Sequence, residues 1–137
     1  MTIGGRRGRM APGVLAMILG ITLAAPVRVL AQDDAGEKVF KRCAACHAIG
    51  EGAKNKVGPE LNGLFGRTAG TLPDFNYSDA MKTAGEGGLV WDAETLRTYL
   101  ENPKAMVPGT KMTFAGLRKP EDLDAVIAYL EQAGAGS

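Results

Sequence analysis

Apolar residues recur at helical spacing most clearly near the C-terminus, where Leu123, Val126, Ile127 and Leu130 share one face of the segment that Pro120 opens. Proline suits a first helical turn, and Glu121, Asp122 and Asp124 complement the positive end of the helix dipole, so a terminal helix is predicted from residue 120. A second amphipathic stretch runs from Asp92, a good N-cap, to about Asn102, with Leu96, Tyr99 and Leu100 on one side and Pro103 closing it. A third runs from Asp34 to about Cys46 with Val39, Phe40 and Cys43 as its stripe, and Asp33, Asp34 and Glu37 favour its N-terminal end. Ser78 can cap a short helix to about Thr83, which Gly85, Gly87 and Gly88 interrupt. Gly36, Phe40 and Tyr129 predict a close crossing of the first and last helices. Residues 48–75 and 103–119 have no sustained period and are punctuated by glycine and proline, and no strand pattern is visible, so the fold class is all-α with long loops. Structureless loops of that length are uncommon in a compact domain, and a bound group at the centre would explain them.

The N-terminus has the arrangement of an export signal. Arg6, Arg7 and Arg9 precede a twelve-residue apolar run, Val14 to Ala25, which Pro26 ends. Val29-Leu30-Ala31 then offers a cleavage site before the polar Gln32-Asp33-Asp34, with Ala25 as the second choice. Twelve apolar residues fall short of the roughly 20 that span a bilayer, which argues against an uncleaved anchor. The division is therefore a cleaved signal over residues 1–31 and one domain over residues 32–137. Four of the 16 Lys and Arg residues lie in the signal and none of the 15 Asp and Glu does, so the domain carries 12 bases against 15 acids, net −3. That balance excludes a general nucleic-acid binder, and no membrane span remains in the domain.

Cys43-Ala44-Ala45-Cys46-His47 holds the only two cysteines and the only histidine of the chain. On a helix the two thiols and the imidazole project from neighbouring positions of one side, so a single planar ligand can meet all three. C-x-x-C-H is the pattern of covalent haem attachment through two thioethers, with the histidine as an axial iron ligand. A thioredoxin-like disulfide would be expected beside a strand–helix unit, and no β-branched strand precedes this one. Structural zinc takes four ligands, and the chain has three Cys and His residues in all. Haem is the reading adopted, and it would supply the core that so few regular elements leave thin. A second axial ligand favours electron transfer over an open site, and with His47 used the candidates are Met81, Met106 and Met112. Met112 is preferred because proline and glycine in Pro108-Gly109-Thr110-Lys111-Met112 can hold a loop across the ring. Met81 and Met106 remain open on sequence grounds.

After Cys43 to His47 come, in order, Lys56-Val57-Gly58-Pro59-Glu60-Leu61, Gly63-Leu64-Phe65-Gly66-Arg67, Tyr77-Ser78-Asp79-Ala80, Tyr99-Leu100-Glu101-Asn102-Pro103 and Pro108-Gly109-Thr110-Lys111-Met112-Thr113-Phe114. This set resembles the class I c-type cytochromes, mitochondrial cytochrome c and its soluble bacterial relatives, over nearly all of residues 34–133. The resemblance implies the small cytochrome c fold around one haem c held by Cys43 and Cys46. It implies His47 and Met112 as axial ligands, and the Pro59 carbonyl as acceptor of the His47 ring N–H. It places Arg67, Tyr77, Trp91 and Thr110 around the haem propionates and Tyr99 near the Met112 sulfur. The glycine-rich stretch from Lys82 to Val90 is longer than in the mitochondrial pattern.

The function implied is a periplasmic, monomeric one-electron carrier and not an enzyme. Quinol–cytochrome c oxidoreductase is the implied donor, and a terminal oxidase, a photosynthetic reaction centre or a peroxidase the acceptor. Arg42, Lys56, Lys104 and Lys111 are the bases placed around the haem edge for docking. A peroxidase-like haem enzyme is the alternative if the sixth ligand is labile.

Overall fold

The computed structural model describes residues 27–135, together with residues 1, 2, 4 and 5, and the side chains of the first helix from Asp34 onward. The arginine cluster and apolar run of the expected signal lie outside the described residues, and Ala31 falls within the first helix.

Helix α1 spans Val27–Phe40. It starts before the predicted Asp34, so Asp33, Asp34 and Glu37 sit within it and not in its first turn. It also ends before the predicted Cys46. Residues 41–46 continue as tightened turns in which the N–H of Cys43 donates to Phe40 O at 2.7 Å and that of Cys46 to Cys43 O at 3.0 Å. Bonds of the i→i+3 kind bring side chains three apart into line, which suits two thiols serving one ligand better than the helical stagger does.

Helix α2, Asp79–Glu86, begins at its predicted cap, with Ser78 Oγ accepting the Met81 N–H at 3.1 Å. It runs past Thr83 because Gly85, which reads as a breaker, is a packing residue: a Cβ there would collide with the Ala69 carbonyl oxygen. Helix α3, Ala93–Glu101, is closed at its start by a reciprocal Asp92–Thr95 capping box. Pro103 does end α3, yet it also opens a one-turn helix, α4 (Pro103–Met106), within a stretch predicted to be irregular. Asn102 serves both, ending α3 and accepting the Ala105 N–H at 3.2 Å. Helix α5, Pro120–Ala135, buries Leu123, Val126, Ile127 and Leu130 as its periodicity requires. Among the described residues the only β pairing is an isolated bridge between Thr68 and Val90, and no helix is long and apolar enough to cross a membrane.

The predicted crossing of α1 and α5 is present. A Cβ on buried Gly36 would lie 2.5 Å from the Tyr129 Cβ, and the Phe40 and Tyr129 rings are 5.2 Å apart. Neither the Ala125 carbonyl nor a Cβ can swing aside, so Gly36→Ala is expected to destabilise the protein by about 1–3 kcal/mol even after its gain in helix propensity. Denaturant unfolding of the haem-loaded protein checks this, and an unchanged midpoint would show that the helices can part freely.

Candidate haem site

The helices and loops leave a cavity of about 380 Å³ between them. Cys43, Cys46 and His47 line it from the turns after α1, and Pro59, Arg67 and Tyr77 from the following loops. Trp91, Tyr99, Thr110 and Met112 line the rest. All ten residues assigned by sequence to haem binding or iron ligation thus meet around one space. Of the methionines, Met81 and Met112 line it and Met106 does not. Of the four expected docking bases, Arg42 and Lys111 reach its rim, whereas Lys56 and Lys104 do not contribute to its lining.

The His47 ring is held by its Nδ1, 2.7 Å from the Pro59 carbonyl oxygen. A carbonyl only accepts, so Nδ1 carries the proton and Nε2 keeps its lone pair, the form that ligates a metal. Burial pushes the imidazole pKa down, the Pro59 bond opposes it and the Lys56 charge adds to it, so the ring is kept neutral. Burial raises the Cys43 thiol pKa against the pull of Arg42, with Cys46 adding to the rise.

Gly58 carries a role that the sequence reading did not assign. A Cβ there would stand 2.7 Å from His47 Nδ1 and 2.8 Å from Nε2, so only glycine lets the imidazole lie flat against the chain. The Gly-Pro pair eleven residues after the motif was the available signal. Gly58→Ala is expected to rotate the ring away from Pro59, lower the yield of haem-loaded protein several-fold and destabilise what is recovered by about 1–3 kcal/mol. Haem-stained gels and unfolding midpoints report both, and a normal yield and midpoint would count against the contact.

Arg67 is half-buried and donates from Nη1 to Asn62 O at 3.0 Å and from Nη2 to Glu60 O at 3.5 Å. Among the described residues no carboxylate is paired with it. Tyr77 is close enough to feel that charge: burial raises its pKa and Arg67 lowers it. Trp91 is buried, with its ring 5.1 Å from that of Tyr99. The Tyr99 hydroxyl is 3.1 Å from Thr110 Oγ1, which also accepts the Met112 N–H at 3.3 Å. Tyr99 therefore reaches the methionine loop through Thr110. On the other side Lys111 Nζ donates to the carbonyls of Asn76 and Tyr77 at 3.1 and 3.3 Å. The loop that presents Met112 is fastened from both flanks, with Gly109 at φ 93° supplying its turn.

Two thiols three residues apart, a neutral imidazole with a free Nε2 and two thioethers surround one cavity, and an arginine that pairs with no carboxylate among the described residues stands in its wall with Tyr77. These groups fit an apolar macrocycle linked to the chain and bearing carboxylates, which makes this an all-α, c-type haem protein. The comparisons make the assignment narrower, for the chain belongs to the cytochrome c family, whose model, described as Cytochrome c, matches residues 34–134. It is similar to cytochrome c2 of Afifella marina, 68% identical over 97 residues, 71% of this chain and 78% of that one. Cytochrome c2 of Agrobacterium tumefaciens (strain II Chrys) is 66% identical over 95 residues, 69% of this chain and 86% of that one. The solved structure of cytochrome c2 from Rhodospirillum Centenum superposes with a TM-score of 0.71 at 41% identity, covering 75% of this chain and 98% of that chain. The protein is accordingly a class I c-type cytochrome of bacterial type, an electron carrier and not an enzyme, with one haem c attached at Cys43 and Cys46.

Proposed function

We propose that residues 1–31 direct export and are removed, and that residues 32–137 carry single electrons in the periplasm with His47 and Met112 as axial ligands. The observation that carries this reading is the His47–Pro59 bond, since it leaves Nε2 free toward the same cavity that the Met112 loop closes. When bound, the haem supplies a one-electron ferric–ferrous couple.

The chain's part is to hold that couple with little rearrangement. Pro59 fixes the His47 tautomer and ring plane and Gly58 gives the ring room, so the histidine does not turn between redox states. Thr110 and Lys111 fasten the Met112 loop, so that its thioether would be held against the iron of a bound haem and would exclude water there. Arg67 and Tyr77, with Trp91 beside them, offer charge and hydrogen bonds to carboxylates that would be costly to bury alone. The proposed donor is quinol–cytochrome c oxidoreductase, and the proposed acceptor a terminal oxidase, a photosynthetic reaction centre or a peroxidase.

At neutral pH the ferric protein is expected to show the far-red sulfur-to-iron absorption band, which its absence would replace with an open-site reading. Mass spectrometry of exported protein is expected to give the 32–137 polypeptide plus one haem. The mass of the uncleaved chain would overturn the export proposal.

A further inference from the structure

Asn62 and Gly63 form the one Asn-Gly pair of the chain, whose other asparagines precede Lys56, Tyr77 and Pro103. An asparagine amide before glycine is the arrangement most open to attack by the next backbone nitrogen, because glycine has no side chain to hinder the approach. In the fold both reacting groups are held apart from that encounter. Asn62 Oδ1 accepts the Gly50 N–H at 2.7 Å and its Nδ2 donates to Gly50 O at 2.9 Å, so two bonds fix the plane of the amide. The Gly63 N–H donates to Gly134 O at 3.1 Å, one of the last carbonyls of α5, which has no partner within its own helix. Packing adds no shield: Gly63 is exposed at φ 59°, and a Cβ there would meet nothing within 4 Å. Hydrogen bonds to two distant segments are therefore what restrains the pair.

Arg67 gives the position a consequence. Its Nη1 donates to Asn62 O at 3.0 Å, and among the described residues no carboxylate is paired with it.

We propose that Asn62-Gly63 is a latent deamidation and isomerisation site, latched by Gly50 and Gly134, opened when the fold is lost, and yielding a product that gives Arg67 a carboxylate. The co-reactant is water. Gly63 N, losing its proton, bonds to Asn62 Cγ while the Cγ–Nδ2 bond breaks and ammonia leaves, which closes a succinimide. Water then opens the ring. Breaking the new Cγ–N bond leaves aspartate, whereas breaking the original peptide bond leaves isoaspartate, with the chain continuing through Cγ and the former Asn62 carbonyl released as a carboxylate. That carbonyl is the acceptor of Arg67. Resting on the carrier role above, the new ion pair would cancel a positive charge that Arg67 otherwise offers to the haem carboxylates and that favours ferrous over ferric iron.

The test uses haem-loaded protein, either native or unfolded in guanidinium chloride with its haem attached, at mildly alkaline pH. Methyl transfer by protein isoaspartate methyltransferase measures the product, and mass spectrometry of the peptide spanning Asn62 locates it. Isoaspartate is expected at residue 62 in the unfolded protein and about a hundred-fold more slowly in the native one, the restraint of three hydrogen bonds of ordinary net strength. Asn62→Gln, whose longer side chain closes the ring far less readily, should silence the unfolded sample. Equal rates in the two states overturn the latch, and isoaspartate arising first at Asn55 or Asn76 overturns the site. After refolding, the modified fraction is expected to regain the far-red band with a midpoint potential lowered by about 30–60 mV, which is about a three- to ten-fold fall in the constant for electron uptake. An unlowered potential, or a modified chain that does not regain the band, overturns the pairing with Arg67. A starting protein without the band is a failure of the carrier reading, and the comparison of rates still decides the latch.

Discussion

Exported protein carrying Cys43→Ser and Cys46→Ser is expected to lose its haem on acid–organic extraction and, once haem-free, most of its far-UV helix signal. The reason is where the cavity lies. Phe40, Leu64, Trp91, Leu100, Val126 and Leu130 are buried residues of the core that also line the cavity, so the centre of the protein is the space the haem fills. At roughly 24 cal/mol per Å³, leaving about 380 Å³ empty would cost on the order of 9 kcal/mol, and one side open to water makes that an upper figure. Even half of it approaches the lower end of the roughly 5–15 kcal/mol by which a domain is stable. Circular dichroism of the extracted double variant measures the effect, with the unaltered protein, whose haem resists extraction, as reference. Full helix content in the haem-free chain would show that the polypeptide builds its own core.

Met112→Ala is expected to abolish the far-red band and to lower the midpoint potential by about 0.1 V or more, a modest part of the roughly 0.8 V range that axial ligands span. A neutral thioether stabilises the ferrous state, and its removal admits water or added ligand to the iron. The helices should persist, because Met112 is half-buried on a loop whose fastenings, Tyr99–Thr110 and Lys111 to Asn76 and Tyr77, do not use its side chain. Met81→Leu and Met106→Leu separate the candidates. Met81 is a core residue that also lines the cavity, and Met106 lies outside the lining, so both variants should keep the band. Loss of the band in Met81→Leu with retention in Met112→Ala would reverse the ligand assignment. A gain of peroxide turnover in Met112→Ala alone would show that the fastened loop holds such chemistry off.

The two arguments depend on different layers of the molecule. The first concerns the packing of α1, α3 and α5 around a shared centre, and the second a loop held to α3 by the Tyr99–Thr110 bond and to the chain before α2 by Lys111. Arg42 ties the attachment turn to the terminal helix: it stands one residue before Cys43 and pairs with Asp122 in the first turn of α5. With the arginine side chain 60% exposed, that ion pair contributes little by itself, so it serves orientation more than stability.

Much of the site was written in short-range patterns. Cys43, Cys46 and His47 are spaced by local geometry, and α5 declares itself through apolar residues three and four apart with a proline and acids at its start. Such signals depend only on near neighbours, so they survive without knowledge of the fold. Glycine is where local reading ran out. Gly85 reads as a stop and lies inside α2 because Ala69 needs the space, and Gly58 is required by a histidine eleven residues earlier, whereas Gly36 was legible only because Phe40 and Tyr129 marked the two helices that meet at it. The ends of α1 and the one-turn α4 were missed for a related reason: a four-residue helix is barely one period, and a helix end is set by what the next residues must reach. The sequence by itself thus determined the chemistry and the helical class, because ligand types and periodicity are properties of adjacent residues. Only the tertiary structure decided that Met106 stands apart from the cavity, that Arg67 meets no carboxylate among the described residues and that Lys111 clasps a distant loop, because each is a meeting of segments that chain order leaves unspecified.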